Sequence, residues 1–362
     1  MSDTWGNRIK LSIFGESHGP AIGITIDGLP PGLAINMSQV EQEMARRAPG
    51  KSPFATARQE ADTVEILSGM HEGKTTGTAI CGIIRNKDAR SKDYGTIPRP
   101  GHADLTAAMR YQGHADMRGG GHFSGRLTAP LVFAGALAKQ ALSSLGISIY
   151  GRIKQIGTIS DPITDPAPEL WTALTGQEFP ALNAASGKAM QELILNCRNQ
   201  LDSVGGVVET AAFGVPGGLG DPFFASVESV AAAIFFSIPA VKGIEFGDGF
   251  SLAAMQGSQA NDAIGIEDRQ LTTKTNRCGG ILGGITTGQP VIARLAFKPT
   301  PSIAQPQESA DPVSLEPATL EIKGRHDPCI VPRAVPVAEA ALALAILDCL
   351  PEGTLFDHRK EK

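Results

Sequence analysis

The sequence predicts an α/β fold (α+β) that forms one domain from two related halves. Short runs of β-branched and other apolar residues, typical of strands, alternate with helical patterns at 9–14, 22–27, 64–68, 79–85, 147–156, 207–213 and 291–297. A second observation is an internal repeat between approximately residues 1–150 and 190–350. Because no low-complexity linker divides the chain, we expect a single domain over residues 1–362.

The internal repeat is indicated by two pairs of matching motifs. GLPPGL at residues 28–33 resembles GVPGGL at residues 214–219, and each motif follows a predicted strand. TTG at residues 75–77 recurs at residues 286–288, and in both places a strand and a lysine follow. Matching motifs in the same order indicate a duplicated β-α-β unit.

The clearest helix signals lie in the first half of the chain. SQVE at residues 38–41 reads as a capping box that starts a helix, with Arg46 and Arg47 in its last turn. A long helix is predicted over residues 127–145, with Gly146 as its stop signal.

The second half contains two further predicted helices. One covers residues 224–236, and another follows Pro332 and covers residues 334–349. Residues 161–180 and 299–317 are rich in proline and polar residues with little periodicity, so we expect surface loops there.

Composition and charge exclude several classes of function. The formal net charge of −5 and the isoelectric point near 5.8 argue against a nucleic-acid-binding surface. The start of the chain does not resemble a signal peptide, and the longest apolar run is too short to span a membrane. The five cysteines form no CxxC pair, so no metal site is expected. These features predict a cytoplasmic protein.

Four short motifs predict a pocket for a small anion. RPGHAD at residues 99–104, GGGHFSGR at 119–126, GESHG at 15–19 and GRHDP at 324–328 combine arginine, histidine and carboxylate with glycine, serine or proline. Arginine presents a fork of donors to phosphate or carboxylate, and histidine can carry a proton near neutral pH. Glycine lets backbone N–H groups approach a ligand closely.

Three motifs resemble known sites but have the wrong spacing or context. SGMHEGKT at residues 68–75 resembles a P-loop, but Ser68 stands where the first glycine is required and Gly69 comes one residue too late. GGILGG at 279–284 lacks the G-x-G-x-x-G spacing of a dinucleotide-binding motif. GESHG would fit a hydrolase nucleophile elbow, yet Pro20 and a strand follow it where a helix is required.

Some candidate residues also have a purely structural interpretation. His18 fits a turn residue bonded to backbone, Arg47 fits a cation at a helix C-terminus, and Asp327 fits an N-cap or turn former. Residue type and position alone leave both interpretations open.

The chain resembles the chorismate synthase family from end to end. The shared motifs, in the order of the family, are GESHG at 15–19, RPGHAD at 99–104, the glycine triplet at 119–121, DSVGGVVE at 202–209, VKGIEFGDG at 241–249, CGGILGGITTG at 278–288, KPTPS at 298–302 and GRHDPCIVP at 324–332. The resemblance implies a β-α-β sandwich of two pseudo-symmetric halves, with antiparallel sheets around a helical layer. It also implies a homotetramer.

The resemblance further implies an activity and a cofactor. The expected enzyme is a lyase that converts 5-enolpyruvylshikimate 3-phosphate into chorismate and phosphate by anti 1,4-elimination, the last step of the shikimate pathway. Reduced FMN is the expected cofactor, and some family members reduce it with NADPH. The alternatives are a flavin-dependent oxidoreductase acting on a small anionic substrate and a non-catalytic anion-binding protein.

Roles for individual residues also follow from the resemblance. His18 is expected to protonate the departing phosphate, His102 to face the reduced flavin, and Asp327 to help remove the flavin N5 proton. The expected substrate ligands are Ser17, Arg47, Arg99, Arg126 and Arg325. The expected cofactor ligands are His122, Phe123, Ser124, Pro239, Ala240, Gly283, Lys298, Pro299, Thr300, Pro301, Ser302 and Arg325.

The chain departs from the common family pattern at three places. His-Phe at residues 122–123 stands where the family more often has Arg-Ser, and Pro239 stands where it has asparagine. Pro53 replaces an arginine of the substrate clamp, and Lys51 or Arg58 is expected to supply the missing positive charge.

Overall fold

The computed structural model describes residues 3–48, 62–86, 97–163, 167–267, 269–322 and 327–355. Its strands are β1 (Thr4–Trp5), β2 (Lys10–Gly15), β3 (Ala21–Asp27), β4 (Val64–Ser68), β5 (Met70–His71), β6 (Lys74–Thr75), β7 (Ile80–Arg85), β8 (Ser148–Ile156), β9 (Ile159–Ser160), β10 (Gly206–Phe213), β11 (Val241–Phe246), β12 (Ile264–Glu267), β13 (Gln270–Thr273), β14 (Ile281–Leu282), β15 (Ile285–Thr286), β16 (Val291–Phe297), β17 (Gln307–Ala310) and β18 (Pro317–Leu320). Its α-helices are α1 (Met37–Arg47), α2 (Asp104–Tyr111), α3 (Thr128–Ser143), α4 (Pro168–Thr172), α5 (Ala184–Asn199), α6 (Val227–Ser237), α7 (Gly257–Ala260) and α8 (Val331–Cys349). None of the helices in these ranges has the length and apolarity needed to cross a bilayer.

Two five-stranded antiparallel sheets enclose a layer of helices. The first sheet has the strand order β1-β2-β3-β7-β4, and the second has β11-β16-β10-β8-β9. Helix α3 packs on β3 and β7, α8 packs on β8 and β10, and the two helices pack against each other. Both helices are buried on nearly all sides, which explains their almost continuous apolar sequences. The predicted fold class is confirmed.

The two sheets have matching topology. The order β2-β3-β7-β4 in the first sheet corresponds to β8-β10-β16-β11 in the second, and α1 and α6 occupy corresponding places along the chain. The Thr75 hydroxyl donates to the Pro30 carbonyl and accepts from the Leu33 amide. Thr286 makes the same two bonds to Pro216 and Leu219, at 2.7 and 2.9 Å. These matches support the duplicated unit, which we propose as the origin of the two halves.

Each predicted strand is present, with its ends displaced by no more than one residue. The helix ends differ more. The N-cap of α1 is Asn36 and not Ser38, because the Asn36 side chain already accepts from the amides of Ser38 and Gln39. Helix α8 begins at Val331, so Pro332 lies in its first turn, where the missing N–H costs no hydrogen bond.

Both predicted surface loops contain regular structure. The 161–180 segment includes α4, whose Trp171 side chain is fully buried. The Arg152 guanidinium lies over the Trp171 ring, with its central carbon 5.3 Å from the ring centroid. The 299–317 segment includes β17 and the start of β18, which pair as an antiparallel hairpin. The packing of Trp171 and the pairing of the two hairpin strands stabilise these segments, and local periodicity does not report either interaction.

A buried ion cluster joins three helices of the central layer. Glu339 of α8 accepts hydrogen bonds from Arg46 of α1 and Lys139 of α3. Burial raises the pKa of Glu339, but the two cations outweigh it and lower the pKa to about 2. The folded-state pKa is below the ordinary value, so this carboxylate contributes stability above about pH 4.5, and that contribution is lost as the pH falls towards 2.

Glu339→Gln is therefore expected to destabilise the fold at pH 7 and to reduce its sensitivity to acid. Removing one member of a buried pair typically costs about 3–5 kcal/mol. The measurement is the free energy of urea unfolding at pH 7 and pH 3 for both proteins. The exposed Glu65→Gln variant, which breaks the surface pair with Arg85, is the control and should change little. If the free energy of unfolding falls by the same amount from pH 7 to pH 3 in wild type and in Glu339→Gln, Glu339 is not the source of the acid sensitivity.

Candidate active site

A cavity of about 710 Å³ lies where α1 and α6 end and where α3 and α8 begin. Its volume is in the range of small-molecule sites. One part of the wall is apolar and includes Leu131, Ile234 and Phe297. The charged side chains of the described wall are Asp3, Arg47, Arg99, Arg126, Lys298, Asp327 and Arg333. Cations are in excess, so the cavity favours an anionic ligand.

The glycine triplet brings the two candidate histidines together. Gly119 and Gly120 have φ of +63° and +86°, in the left-handed region that favours glycine. A Cβ on Gly119 would lie 2.5 Å from His18 Nε2, and one on Gly120 would lie 3.3 Å from His102 Nε2. Two consecutive residues therefore contact the two imidazoles. A side chain on Gly119 would clash with His18, and one on Gly120 would be tight against His102.

Ser17 and His18 contact residues 118–126, which we call the glycine segment, but they are not part of the described cavity wall. The Ser17 amide donates to the Gly121 carbonyl at 3.1 Å, and the Ser17 side chain is fully buried. Its hydroxyl has no hydrogen-bond partner among the residues that the structure describes. A buried hydroxyl without a partner is costly, so a polar ligand atom beside it would be stabilising.

Arg47 and Arg126 share one buried carboxylate, that of Asp62. Arg47 Nη1 donates to Asp62 Oδ2 at 2.6 Å, and Arg126 Nη1 donates to Asp62 Oδ1. Burial, together with the nearby cations Arg333 and Arg126, lowers the pKa of Arg47 to about 10 in spite of Asp62. Burial raises the pKa of Asp62, but the two arginines outweigh it and lower that pKa. Two cations around one anion keep a positive charge that can attract an anionic substrate.

Arg99 and His102 are joined through Asp104. Arg99 donates to the Asp104 carboxylate from Nε at 2.7 Å and from Nη2 at 2.8 Å. His102 Nδ1 lies 2.6 Å from Asp104 Oδ1, and Arg99 Nη1 donates to Ser302 Oγ at 3.2 Å. The RPGHAD segment therefore folds into a compact charged unit on the cavity wall.

Asp327 is paired with Arg333, which the sequence analysis did not single out. Arg333 Nη1 donates to Asp327 Oδ2 at 2.6 Å, and its Nε donates to the Arg47 carbonyl at 3.0 Å. The N-cap of α8 is Ile330, so the interpretation of Asp327 as the N-cap of this helix is wrong. Arg333 directly follows the GRHDPCIVP motif, and this position is the signal from which the sequence could have identified it.

Most of the predicted cofactor residues reach the cavity. The described wall includes His122, Phe123, Ser124, Pro239, Ala240, Lys298, Thr300, Pro301 and Ser302. Gly283 lies in the turn between β14 and β15 and is not on this wall, and neither is Pro299. Arg325, Lys51, Pro53 and Arg58 lie outside the described residues.

His122 and Phe123, where the chain departs from the common family pattern, both contact other parts of the structure. His122 Nδ1 lies 2.9 Å from the Gly15 carbonyl, and its Nε2 lies 3.3 Å from an Asp3 carboxylate oxygen. Phe123 packs edge-to-face on Tyr111, with ring centroids 5.9 Å apart. These contacts tie the glycine segment to the end of β2 and to α2.

Known proteins are similar to this chain in sequence and in fold. The family profile described as chorismate synthase matches residues 9–350. A chorismate synthase of Thermococcus kodakarensis is 46% identical over 349 residues, 95% of this chain and 96% of that protein. One of Methanocaldococcus jannaschii is 44% identical over 371 residues, 98% of this chain and 97% of that protein. A crystal structure of a chorismate synthase matches with a TM-score of 0.75 and 28% identity, over 95% of this chain and 92% of that one. The chain therefore belongs to the chorismate synthase family.

Proposed function

We infer that this chain converts 5-enolpyruvylshikimate 3-phosphate into chorismate and phosphate, the last step of the shikimate pathway. The observation that carries this inference is that buried arginines, a histidine and apolar side chains line the same cavity. The family to which the chain belongs gives the reaction its identity. The reaction is an elimination, so the enzyme is a lyase.

We propose that Arg47, Arg126 and Arg99 attract and hold the substrate, which carries one phosphate and two carboxylates. All three arginines are buried and on the cavity wall. Charge-assisted hydrogen bonds contribute about 1.5–3 kcal/mol each, so a few of them support strong binding of a multiply charged anion. Ser17, whose hydroxyl is buried beside the glycine segment, is a further candidate ligand.

We propose that His18 delivers a proton from its imidazole to the departing phosphate, and that Asp327 accepts a proton on its carboxylate. His18 Nε2 lies against Gly119, which lines the cavity, so the imidazole is next to the edge of the cavity. Proton delivery requires the phosphate to come within hydrogen-bond distance of this nitrogen, directly or through one water. Arg333 Nη1 donates to Oδ2 of Asp327 at 2.6 Å, which holds the carboxylate on the cavity wall. Burial of the neighbouring residues limits access of water to these proton transfers.

We also propose reduced FMN as the cofactor, because the residues on the wall fit it. The apolar residues suit a flavin ring, and the Thr300 hydroxyl is buried without a partner among the described residues. Lys298, Thr300 and Ser302 would hold the polar part of the cofactor, and His102 would face the ring. When bound, reduced FMN would supply an electron as phosphate leaves and would recover it as the ring hydrogen is lost. NADPH as its reductant, a homotetramer and a cytoplasmic location are further proposals from the family resemblance.

The experiment is an anaerobic assay with reduced FMN and 5-enolpyruvylshikimate 3-phosphate, in which phosphate, chorismate and reductant are measured together. We expect equal amounts of phosphate and chorismate, many turnovers per flavin, and no reductant used beyond the priming of the flavin. Reductant consumed in proportion to product would instead show an oxidoreductase. Substrate binding without product would show a non-catalytic binding protein.

A further inference from the structure

We propose that Asp104 is a positioning residue that keeps the His102 proton on Nδ1 and holds Arg99 beside the imidazole. This inference rests on the proposed function, because the positioned His102 is expected to act in that reaction. Asp104 itself is absent from the described cavity wall, whereas His102 and Arg99 both line it. Any effect of Asp104 on the reaction therefore passes through these two side chains.

The contacts of Asp104 use its whole carboxylate. Oδ1 accepts from Arg99 Nη2 at 2.8 Å and lies 2.6 Å from His102 Nδ1. Oδ2 accepts from Arg99 Nε at 2.7 Å and from the Arg99 backbone amide at 3.0 Å. A carboxylate has about four acceptor sites, so these four contacts leave none for a ligand. Asp104 is also the first residue of α2, which fixes its backbone relative to the loop that carries His102.

The charge state of Asp104 decides the tautomer of His102. Burial raises the pKa of Asp104, but the hydrogen bonds from Arg99 and His102 outweigh it and hold that pKa well below its usual range. The carboxylate is therefore ionised near neutral pH and can only accept, so His102 Nδ1 must donate. Arg99 Nη2 also lies 3.1 Å from Nδ1, and a guanidinium can only donate, so by itself this contact would favour an unprotonated Nδ1. The shorter 2.6 Å contact with the Asp104 carboxylate outweighs it and keeps the proton on Nδ1.

The other edge of the imidazole is then directed at the glycine segment. Gly120 lies against His102 Nε2 and Cε1, since a Cβ there would be 3.3 Å from each atom. Nε2 makes no hydrogen bond to the described residues, so this nitrogen is available to a ligand. With the proton fixed on Nδ1, neutral His102 presents an acceptor at Nε2, and protonated His102 presents a donor at the same position. Without Asp104, the Arg99 donor beside Nδ1 would favour an unprotonated Nδ1 and a proton on Nε2.

The first test measures the tautomer in the protein without flavin or substrate. Nitrogen-15 NMR of histidine-labelled protein distinguishes a protonated from an unprotonated ring nitrogen, and His102→Gln identifies the His102 signals. We expect wild-type neutral His102 to carry its proton on Nδ1, and Asp104→Ala to move at least part of the population to Nε2. Asp248→Asn, which removes an arginine-paired carboxylate outside the described cavity wall, should leave the signals unchanged. An Nε2 proton in wild type, or an unchanged pattern in Asp104→Ala, would overturn the proposal.

The second test asks whether the effect of Asp104 on catalysis passes through His102. Loss of a residue that orients another typically costs about 10- to 100-fold in activity, so we expect this fall in kcat for Asp104→Asn. In a His102→Ala background, the same substitution should lower kcat far less, because residues that act as a unit are not additive. An equal fall in kcat in both backgrounds would overturn the proposal. The NMR test requires no turnover, so failure of this proposal and failure of the proposed function give different results.

Discussion

The His18→Ala enzyme is expected to turn over its substrate about 10²- to 10⁴-fold more slowly than wild type, because a positioned proton donor contributes rate enhancement of that order. The variant should fold normally, since the imidazole packs against a glycine and removing it creates no clash. The measurement is kcat in the anaerobic assay, with KM for the phosphorylated substrate determined in the same series. We expect KM to change much less than kcat.

The control for this prediction is His71→Ala. His71 lies in the hairpin of β5 and β6 and its side chain is 80% exposed. This control should leave kcat and KM unchanged. A His18→Ala enzyme with wild-type kcat would show that the histidine is a turn residue, the structural interpretation that the sequence alone left open.

Arg126→Met is expected to raise the substrate KM or dissociation constant by about 10- to 100-fold. Loss of one charge-assisted hydrogen bond reduces the binding free energy by about 1.5–3 kcal/mol, and each 1.4 kcal/mol of binding free energy changes the affinity about tenfold. Methionine fills much of the same volume, and Asp62 keeps its pair with Arg47, so the buried carboxylate retains a cation. The measurement is isothermal titration with the substrate, together with steady-state KM.

Arg118→Met is the matched control for Arg126→Met. Arg118 lies in the same segment, but its side chain is 54% exposed and pairs with Asp116. Surface pairs of this kind contribute little, so affinity for the substrate should be unchanged. Equal affinities of the Arg126→Met and wild-type proteins would remove Arg126 from the substrate site.

The sequence predicts the sheets well because their signals are local. Runs such as residues 64–68 and 291–297 consist of residues that favour strands, and the structure has strands at these positions. Helix α5 and strand β11 were not predicted. Only a few α5 residues are buried, Gly187, Met190 and Ile194, so its apolar stripe is too narrow to recognise. Strand β11 is stabilised by its pairing with β16, which is remote in sequence.

The candidate site is predicted in part for a similar reason. Motifs that contain histidine, arginine and glycine together identify His102, Arg99 and the glycine triplet, and the structure brings them onto one cavity or against its wall. Asp62 belongs to no such motif, and its role depends on two arginines that reach it from other parts of the chain. Charge pairing of this kind is a property of the tertiary fold, so single-sequence reasoning does not find it.

The central claim is that one cavity holds both a flavin and the phosphorylated substrate. A crystal structure of the protein with FMN and 5-enolpyruvylshikimate 3-phosphate tests this claim most directly. The account predicts that both ligands occupy the cavity of about 710 Å³, with substrate anions against Arg47 and Arg126 and the flavin ring beside His102. Density for either ligand only at another surface, with these side chains still paired as described here, would contradict it.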